Sequence, residues 1–472
     1  MIWKYFEDIT KIPRPSKREG KIRDYLLSFG RAHGLETLTD EVGNVLIRKG
    51  ATSGLEDRTP VVLQSHMDMV CAVAPGVRFD CERDAVPAYV EGEWIRSRGT
   101  TLGADDGIGV AAALAVLASG EVAHPPLEAL FTVDEESGMT GARHLRGGWL
   151  QGRMLLNLDS EDEGELFIGC AGGMDTTAHF QLYYEGVPEN MRSFRLVVNG
   201  LTGGHSGDEI HKGHANAIKV AARFLLEAAE MLEVRLSRLK GGTLRNAIPP
   251  EAEALFVVPT GRVAELEHLF DEFAAAVRSE YAHTDPHMLL KLEESEMPGE
   301  VMPEVRQLEI LRALMGCWHG VYSWSPAIEG LVQTSTNLAT VHQEGGRITV
   351  GTSQRSSLET EKMVMATTVA SVFRLAGAEV EHSDGYPGWT PNPDSRILRI
   401  TRESYERLFH REPAVKAIHA GLECGLFLEQ YPSMDMISFG PTIRGAHTPE
   451  ERLHIPSTQR FWDLLVEVLK NV

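Results

Sequence analysis

Cysteine is scarce in this sequence: five residues among 472, at positions 71, 81, 170, 317 and 424, with no Cys-x-x-Cys spacing. An odd, scattered set excludes a disulfide framework and a thiolate metal site, and it fits a reducing cytoplasm. Long apolar runs are also missing. The most apolar helix-like stretch, "VAAALAVLA" from Val110, is far too short to span a bilayer. The opening "MIWKYFEDITKIPRPSK" meets acids and a proline before any apolar core forms, so no signal peptide is expected. Basic charge is in deficit, with 46 Lys and Arg against 67 Asp and Glu and a formal charge of −21. Such a surface repels a nucleic-acid backbone or an anionic membrane, and neither is expected as a partner. The glycine-rich stretches "GLTGGHSG" and "GCAGG" lack the Gly-Lys-Ser/Thr ending of a nucleotide loop and read as turns.

What is present is an ordinary globular balance, 43% hydrophobic and 24% charged, in a chain long enough for two or three domains. Several short apolar runs end in polar clusters. "VVLQ" leads to His66, "LEALFTV" to Asp134, Glu135 and Glu136, "MLLNL" to Asp159, and "MDMISF" to a Gly/Pro loop and then His447. Helix-like segments such as Gly107 to Ser119 lie between some of them. This alternation predicts an α/β fold with a mixed, largely parallel sheet flanked by helices. Ligands of such sheets bind beyond the carboxyl ends of the strands, where every one of these clusters falls.

The middle of the chain has another texture. "TTAHFQLYY" and "SFRLVVNG" alternate apolar and polar residues, as half-exposed strands do. Amphipathic helix patterns follow over His214 to Leu232, Arg262 to Tyr281 and Leu358 to Leu375. This predicts an inserted α+β domain over 189–385. The first domain would then be discontinuous, comprising 1–188 and 386–472, with "DGYPGWTPNPDS" from Asp384 as the return linker.

Singly, the acids have ordinary readings: Asp105 and Asp106 suit a helix N-terminus, and Glu135 and Glu136 a solvated turn. Together, two histidines and at least three carboxylates fall at one predicted rim. Imidazole plus carboxylate is a ligand mix for zinc, manganese or cobalt. Five such ligands exceed one catalytic zinc and suit two divalent ions about 3.5–4 Å apart, sharing a carboxylate and a water of lowered pKa. A further carboxylate nearby would take the proton of that water. Either Glu135 or Glu136 has the chemistry for either job.

The stretches "SHMDMV", "TTLGADDGIG", "VDEESGMTGA", "NLDSEDEGE" and "GAHTPEERLHI" resemble the motifs of the bacterial aminoacyl-histidine (Xaa-His, or cytosol nonspecific) dipeptidases, dinuclear-zinc peptidases with a lid domain. "GGHSGDEIHKGHANAIK", "RNAIP" and "HAGLECGLF" extend the resemblance over most of the chain. It implies that His66 and Asp159 bind one metal, that Glu136 and His447 bind the other, and that Asp105 bridges them, with Asp106 a neighbour only. It makes Glu135 the general base and Asp68 the orienting acid. Residues two apart on an extended strand share a face, so Asp68 can reach the ring nitrogen of His66 that a metal does not use.

For substrate, His205 in "TGGHSGDEIH" is the candidate oxyanion donor. Similar enzymes use a lid histidine, often in the partner subunit's site, which implies a homodimer through the lid. Arg355 would clamp a C-terminal carboxylate through paired hydrogen bonds. Asn246 offers another polar contact. Glu423 would meet a substrate amine or brace the ligands, and His419 is taken as structural. The expectation is a cytoplasmic dipeptidase of unblocked dipeptides, Xaa-His among them, using two divalent ions, zinc foremost. An N-acyl-amino-acid deacylase or aminoacyl carboxypeptidase is the alternative on the same centre.

Overall fold

The computed structural model describes residues 1–472, in two compact units: Met1–Cys170 with Trp389–Ala417 and Leu422–Val472, and Ala171–Gly388 with Ile418–Gly421. The first boundary therefore falls at Cys170, not at 188. The strand Gly172–Gln181, which contains most of "TTAHFQLYY", pairs along its whole length with Arg347–Ser356 and belongs with that partner. The return falls at Trp389, not at 386, because Tyr386 pairs back with Gly173.

The first unit is built on an eight-stranded mixed sheet. At its centre Val61–His66 runs parallel to Leu127–Thr132 on one side and to Met154–Asn157 on the other. Asp435–Ser438 continues parallel to Met154–Asn157. The residues of Val61–His66, Leu127–Thr132 and Met154–Asn157 are all buried, as expected of strands covered on both faces. Their shared direction puts the residues after His66, Thr132, Asn157 and Ser438 at one rim. Antiparallel pairs, Glu36–Thr39 with Val45–Lys49 among them, extend the edge. The helix expected from Gly107 follows two residues of non-helical backbone, Asp105 and Asp106, and runs to Ala118 with almost every side chain buried. Alanine and glycine along that run keep it slim enough to be enclosed.

The second unit holds a nine-stranded antiparallel sheet. Met191–Asn199 and Arg235–Gly241 each pair antiparallel with Ala252–Pro259, which lies between them, so they run parallel to each other across it. The helix Ala217–Leu232 joins them, making a split βαβ unit. A second interleaves with it through Val263–Glu280 and Leu289–Glu294. The three expected helices appear as Ala217–Leu232, Val263–Glu280 and Glu359–Leu375. Ile218, Leu225, Leu266, Phe273, Met365 and Phe373 join one core cluster from those helices. Asn216 starts the first helix, its side chain accepting from the amides of Ile218 and Lys219.

Cys71 and Cys81 are joined by a disulfide, contrary to the expectation that the cysteines are unpaired; Cys170, Cys317 and Cys424 are free and buried. Ten residues of separation gave no spacing motif to read, and only the folded loop brings the pair together. No helix is long and apolar enough to cross a membrane.

Candidate metal centre

The rim of the first unit gathers the side chains that the sequence scatters from position 66 to 447. His66 ends its strand, and its Nε2 lies 3.0 Å from Asp105 Oδ1 and 3.3 Å from Asp159 Oδ1. His447 Nε2 lies 3.0 Å from the other Asp105 oxygen, Oδ2, and 2.8 Å from Glu136 Oε2. Asp105 thus turns one oxygen to each histidine. His66, Asp105 and Glu136 offer ligand atoms all within 4.8 Å of one another.

The chemistry of this set fits divalent cations. Two ligand atoms about 2.0–2.1 Å from a tetrahedral ion sit roughly 3.3 Å apart, close to the contacts seen here. Glu136 Oε1 is buried without a hydrogen-bond partner, an acceptor left for something other than protein. The charge pattern agrees. Burial works against a charged His66, yet Asp159, Asp105 and Asp68 hold its pKa well above the usual value. Hydrogen bonds donated to Asp105 and Glu136 raise that of His447 to about 11. Burial pushes Asp159 up to about 7, with His66 opposing. A concentration of carboxylates this strong calls for positive charge.

The two adjacent glutamates separate in space. Glu136 contacts His447, whereas no histidine lies within ion-pair distance of Glu135. Burial drives Glu135 well above the normal carboxylate range; His66 opposes this and Asp159, Glu423 and Glu136 reinforce it.

Asp68 does more than expected. Its Oδ1 lies 3.4 Å from His66 Nδ1, too poorly aligned to count as a hydrogen bond. The same oxygen accepts from the Glu135 amide at 3.0 Å, while Oδ2 accepts from the Glu136 amide at 3.3 Å and from Ser16 Oγ at 2.8 Å. Asp68 therefore anchors the turn that carries both glutamates. Glu19 supports that turn too, accepting from the Asp134 amide at 3.1 Å. Asp134 in turn accepts from Ser137 and Thr140. The acidic group Glu19, Asp68 and Asp134 is thus satisfied by protein donors, unlike the set around Asp105.

Glu423 is fully buried, its Oε2 accepting from Gln64 Nε2 at 2.7 Å and Thr132 Oγ1 at 2.8 Å. Its Oε1 has no partner, and burial lifts its pKa to about 8. Asp106, which accepts from the Gly109 amide, is a buried neighbour that turns into its own helix.

Arg14 and Glu451 were missed by sequence reasoning. Both are buried and both hold the Asp105 loop. Glu451 sits four residues after His447 inside a motif already singled out; Arg14 carried no signal at all.

The remaining predicted residues lie in the second unit. His205 is half-exposed, with Nδ1 3.0 Å from Asp208 Oδ2. The next residue, Ser206, donates its amide to the Asn246 carbonyl at 2.8 Å, so the loops of His205 and Asn246 are joined. Asn246 itself is exposed. Arg355 is 7% exposed, hence no surface arginine; its Nη1 donates to Tyr386 Oη at 2.9 Å and its Nε is buried without a partner. His419 pairs with Ser335 Oγ at 2.7 Å, and burial, helped by Arg355, lowers its pKa to about 3, as suits a structural histidine.

The model of the peptidase family M20/M25/M40 matches residues 62–471. The cytosol non-specific dipeptidase of Escherichia coli (strain K12) is 43% identical over 471 residues, which cover 100% of this chain and 97% of that protein. The crystal structure of an aminoacylhistidine dipeptidase from Vibrio alginolyticus aligns with a TM-score of 0.93 at 42% identity, over 100% of this chain and 96% of that one. Aminopeptidase PepT from Bacillus cereus shares the fold, with a TM-score of 0.58 at 16% identity over 99% and 97% of the two chains.

Proposed function

The chain belongs to the peptidase family M20/M25/M40, and from that premise we propose that it is a metal-dependent dipeptidase acting on unblocked dipeptides, Xaa-His among them. The observation that carries the reading is the Asp105 carboxylate turned to His66 with one oxygen and to His447 with the other. Full-length identity of 43% to a dipeptidase and 42% to an aminoacylhistidine dipeptidase supports the substrate class.

His66 and Asp159 would hold one cation, Glu136 and His447 the second, and Asp105 both, with zinc first and manganese or cobalt as substitutes. When bound, the ions supply Lewis acidity to the scissile carbonyl and lower the pKa of water. Asp68 orients His66 and fixes the turn of Glu135 and Glu136. Glu135 accepts the proton of the attacking water and returns it to the leaving amine. Its raised pKa and its lack of a histidine partner suit a group that takes up a proton and gives it back. From the second unit, which we assign as a lid and dimer contact, His205 donates to the developing oxyanion, with Asp208 fixing its ring. Arg355 takes the substrate carboxylate, and Asn246 adds a polar contact. Of the two roles open to Glu423, its burial favours bracing the ligand set over meeting the substrate amine. We place the enzyme in the cytoplasm, as the name of its Escherichia coli relative suggests; the Cys71–Cys81 bond is the feature that stands against a reducing compartment.

The test is a panel of free dipeptides, N-acetyl amino acids and N-succinyl amino acids on chelator-treated enzyme re-supplied with zinc, manganese or cobalt. Metal-restored hydrolysis of free dipeptides is expected. Turnover confined to the blocked substrates would replace the dipeptidase with a deacylase.

A further inference from the structure

The loop that delivers Asp105 is held by two buried charges. Glu451 is 2% exposed, and its carboxylate accepts from four successive backbone amides. Oε2 takes Leu102 N at 2.7 Å and Gly103 N at 2.9 Å; Oε1 takes Ala104 N at 2.7 Å and Asp105 N at 3.3 Å. Convergent amides of this kind form an anion-binding concavity, filled here by a side chain of the protein itself. Arg14, also 2% exposed, grips the same loop. Its Nη1 donates to Met67 O at 3.2 Å and Asp68 O at 2.6 Å, and its Nη2 donates to Gly103 O. Gly103 has a φ of +69°, and a Cβ there would stand 2.7 Å from Arg14 Nη2, so the loop is shaped around the guanidinium.

These contacts link three segments that carry proposed ligands. Arg14 ties the end of the His66 strand to Gly103. Glu451, four residues past His447, ties the His447 loop to the Asp105 amide. The position of Asp105 between the two histidines thus depends on neither histidine alone.

Resting on the metal-centre reading above, we infer that Glu451 and Arg14 are positioning residues that set the spacing of His66, Asp105 and His447, so that metal affinity depends on the Glu451 clamp. Neither touches substrate. Replacing one carboxylate oxygen of Glu451 by an NH2 group would point donors at donors while leaving the volume unchanged.

The experiment compares full-length wild type, Glu451→Gln and a control, Val468→Ala, which opens a cavity in the buried face of the helix Ile455–Asn471. Chelator-treated proteins are titrated with zinc, and amide hydrogen exchange is followed in the 100–107 peptide. Glu451→Gln should bind zinc about 10–100-fold more weakly, the range for residues that orient ligands. Its 102–105 amides should exchange faster while the Val61–His66 strand keeps its protection. Val468→Ala should lose thermal stability with zinc affinity and loop exchange unchanged. Wild-type affinity and exchange in folded Glu451→Gln would overturn the inference, as would an equal loss of affinity in Val468→Ala. If Glu451→Gln does not fold, Glu451→Asp, which keeps the charge but withdraws it by one methylene, is judged by the same criteria. Failure of wild type to bind zinc would sink the metal-centre reading instead, and the exchange comparison would still judge the clamp.

Discussion

Replacing Asp68 by Asn is the sharpest test of how the turn of Glu135 and Glu136 is held. In the native site one carboxylate accepts from the Glu135 amide, the Glu136 amide and Ser16 Oγ, and faces His66 Nδ1 at 3.4 Å. Burial disfavours its charge, but His66, Ser16 and the Glu135 amide outweigh that and lower its pKa. Asparagine keeps the shape but offers one acceptor oxygen. Whichever way the amide is turned, its NH2 group faces at least one backbone N–H. At least one charge-assisted hydrogen bond is lost, worth about 1.5–3 kcal/mol. The imidazole of His66 also loses the negative charge that raises its basicity. The two effects together predict a fall of about 10–100-fold in kcat/KM, equivalent to roughly 1.4–2.8 kcal/mol. Steady-state hydrolysis of a free dipeptide at saturating zinc measures it, with zinc titration run in parallel. Affinity should weaken as well, because the glutamate turn and His66 are both loosened. Asp68→Asn enzyme with wild-type kcat/KM and wild-type zinc affinity would refute the reasoning, since at least one backbone amide of the glutamate turn would then have lost its acceptor without consequence.

Glu135→Gln should retain its metal by elemental analysis yet lose about 10²–10⁴ in turnover; comparable turnover would remove the base assignment. Asp105→Ala should lose both metal and activity, and a metal-replete, active protein would contradict the shared ligand. Arg355→Ala should raise KM for a dipeptide far more than for the corresponding dipeptide amide, which has no carboxylate to clamp; equal effects on both would reassign Arg355. Stability should also depend on pH through His319, whose Nδ1 accepts from Asn216 Nδ2 at 3.3 Å and from Leu338 N at 3.4 Å. Burial, and then Lys219, lower its pKa from 6.5 to about 3. The folded form stays neutral where the unfolded chain takes up a proton, so its contribution is complete above pH 6.5 and is lost as pH falls toward 3. The slope is at most about 1.4 kcal/mol per pH unit. Urea unfolding midpoints at two pH values across that range should differ less in His319→Gln than in wild type, and an identical difference would refute the assignment.

Local chemistry already carries much of this protein. Buried parallel strands need continuous apolar runs, so the strands ending near His66, Thr132, Asn157 and Ser438 stand out in the sequence, and with them the rim where the acids meet. Helical periodicity places Ala217–Leu232, Val263–Glu280 and Glu359–Leu375 within a few residues. The motif resemblance supplies the five proposed ligands, which the fold then brings to contact distances of 2.8–3.3 Å.

Other features depend on pairings between distant segments, which no local pattern encodes. The unit boundary at Cys170 is set by the register of Gly172–Gln181 against a strand that comes much later in the chain. Glu135 and Glu136 are chemically alike and adjacent, and only the turn anchored by Asp68 sends one of them to His447. The Cys71–Cys81 bond and the grip of Arg14 and Glu451 on the Asp105 loop likewise arise from folding alone. A side chain's type fixes what it can bind, but what it does bind is decided by the backbone that the whole fold places beside it.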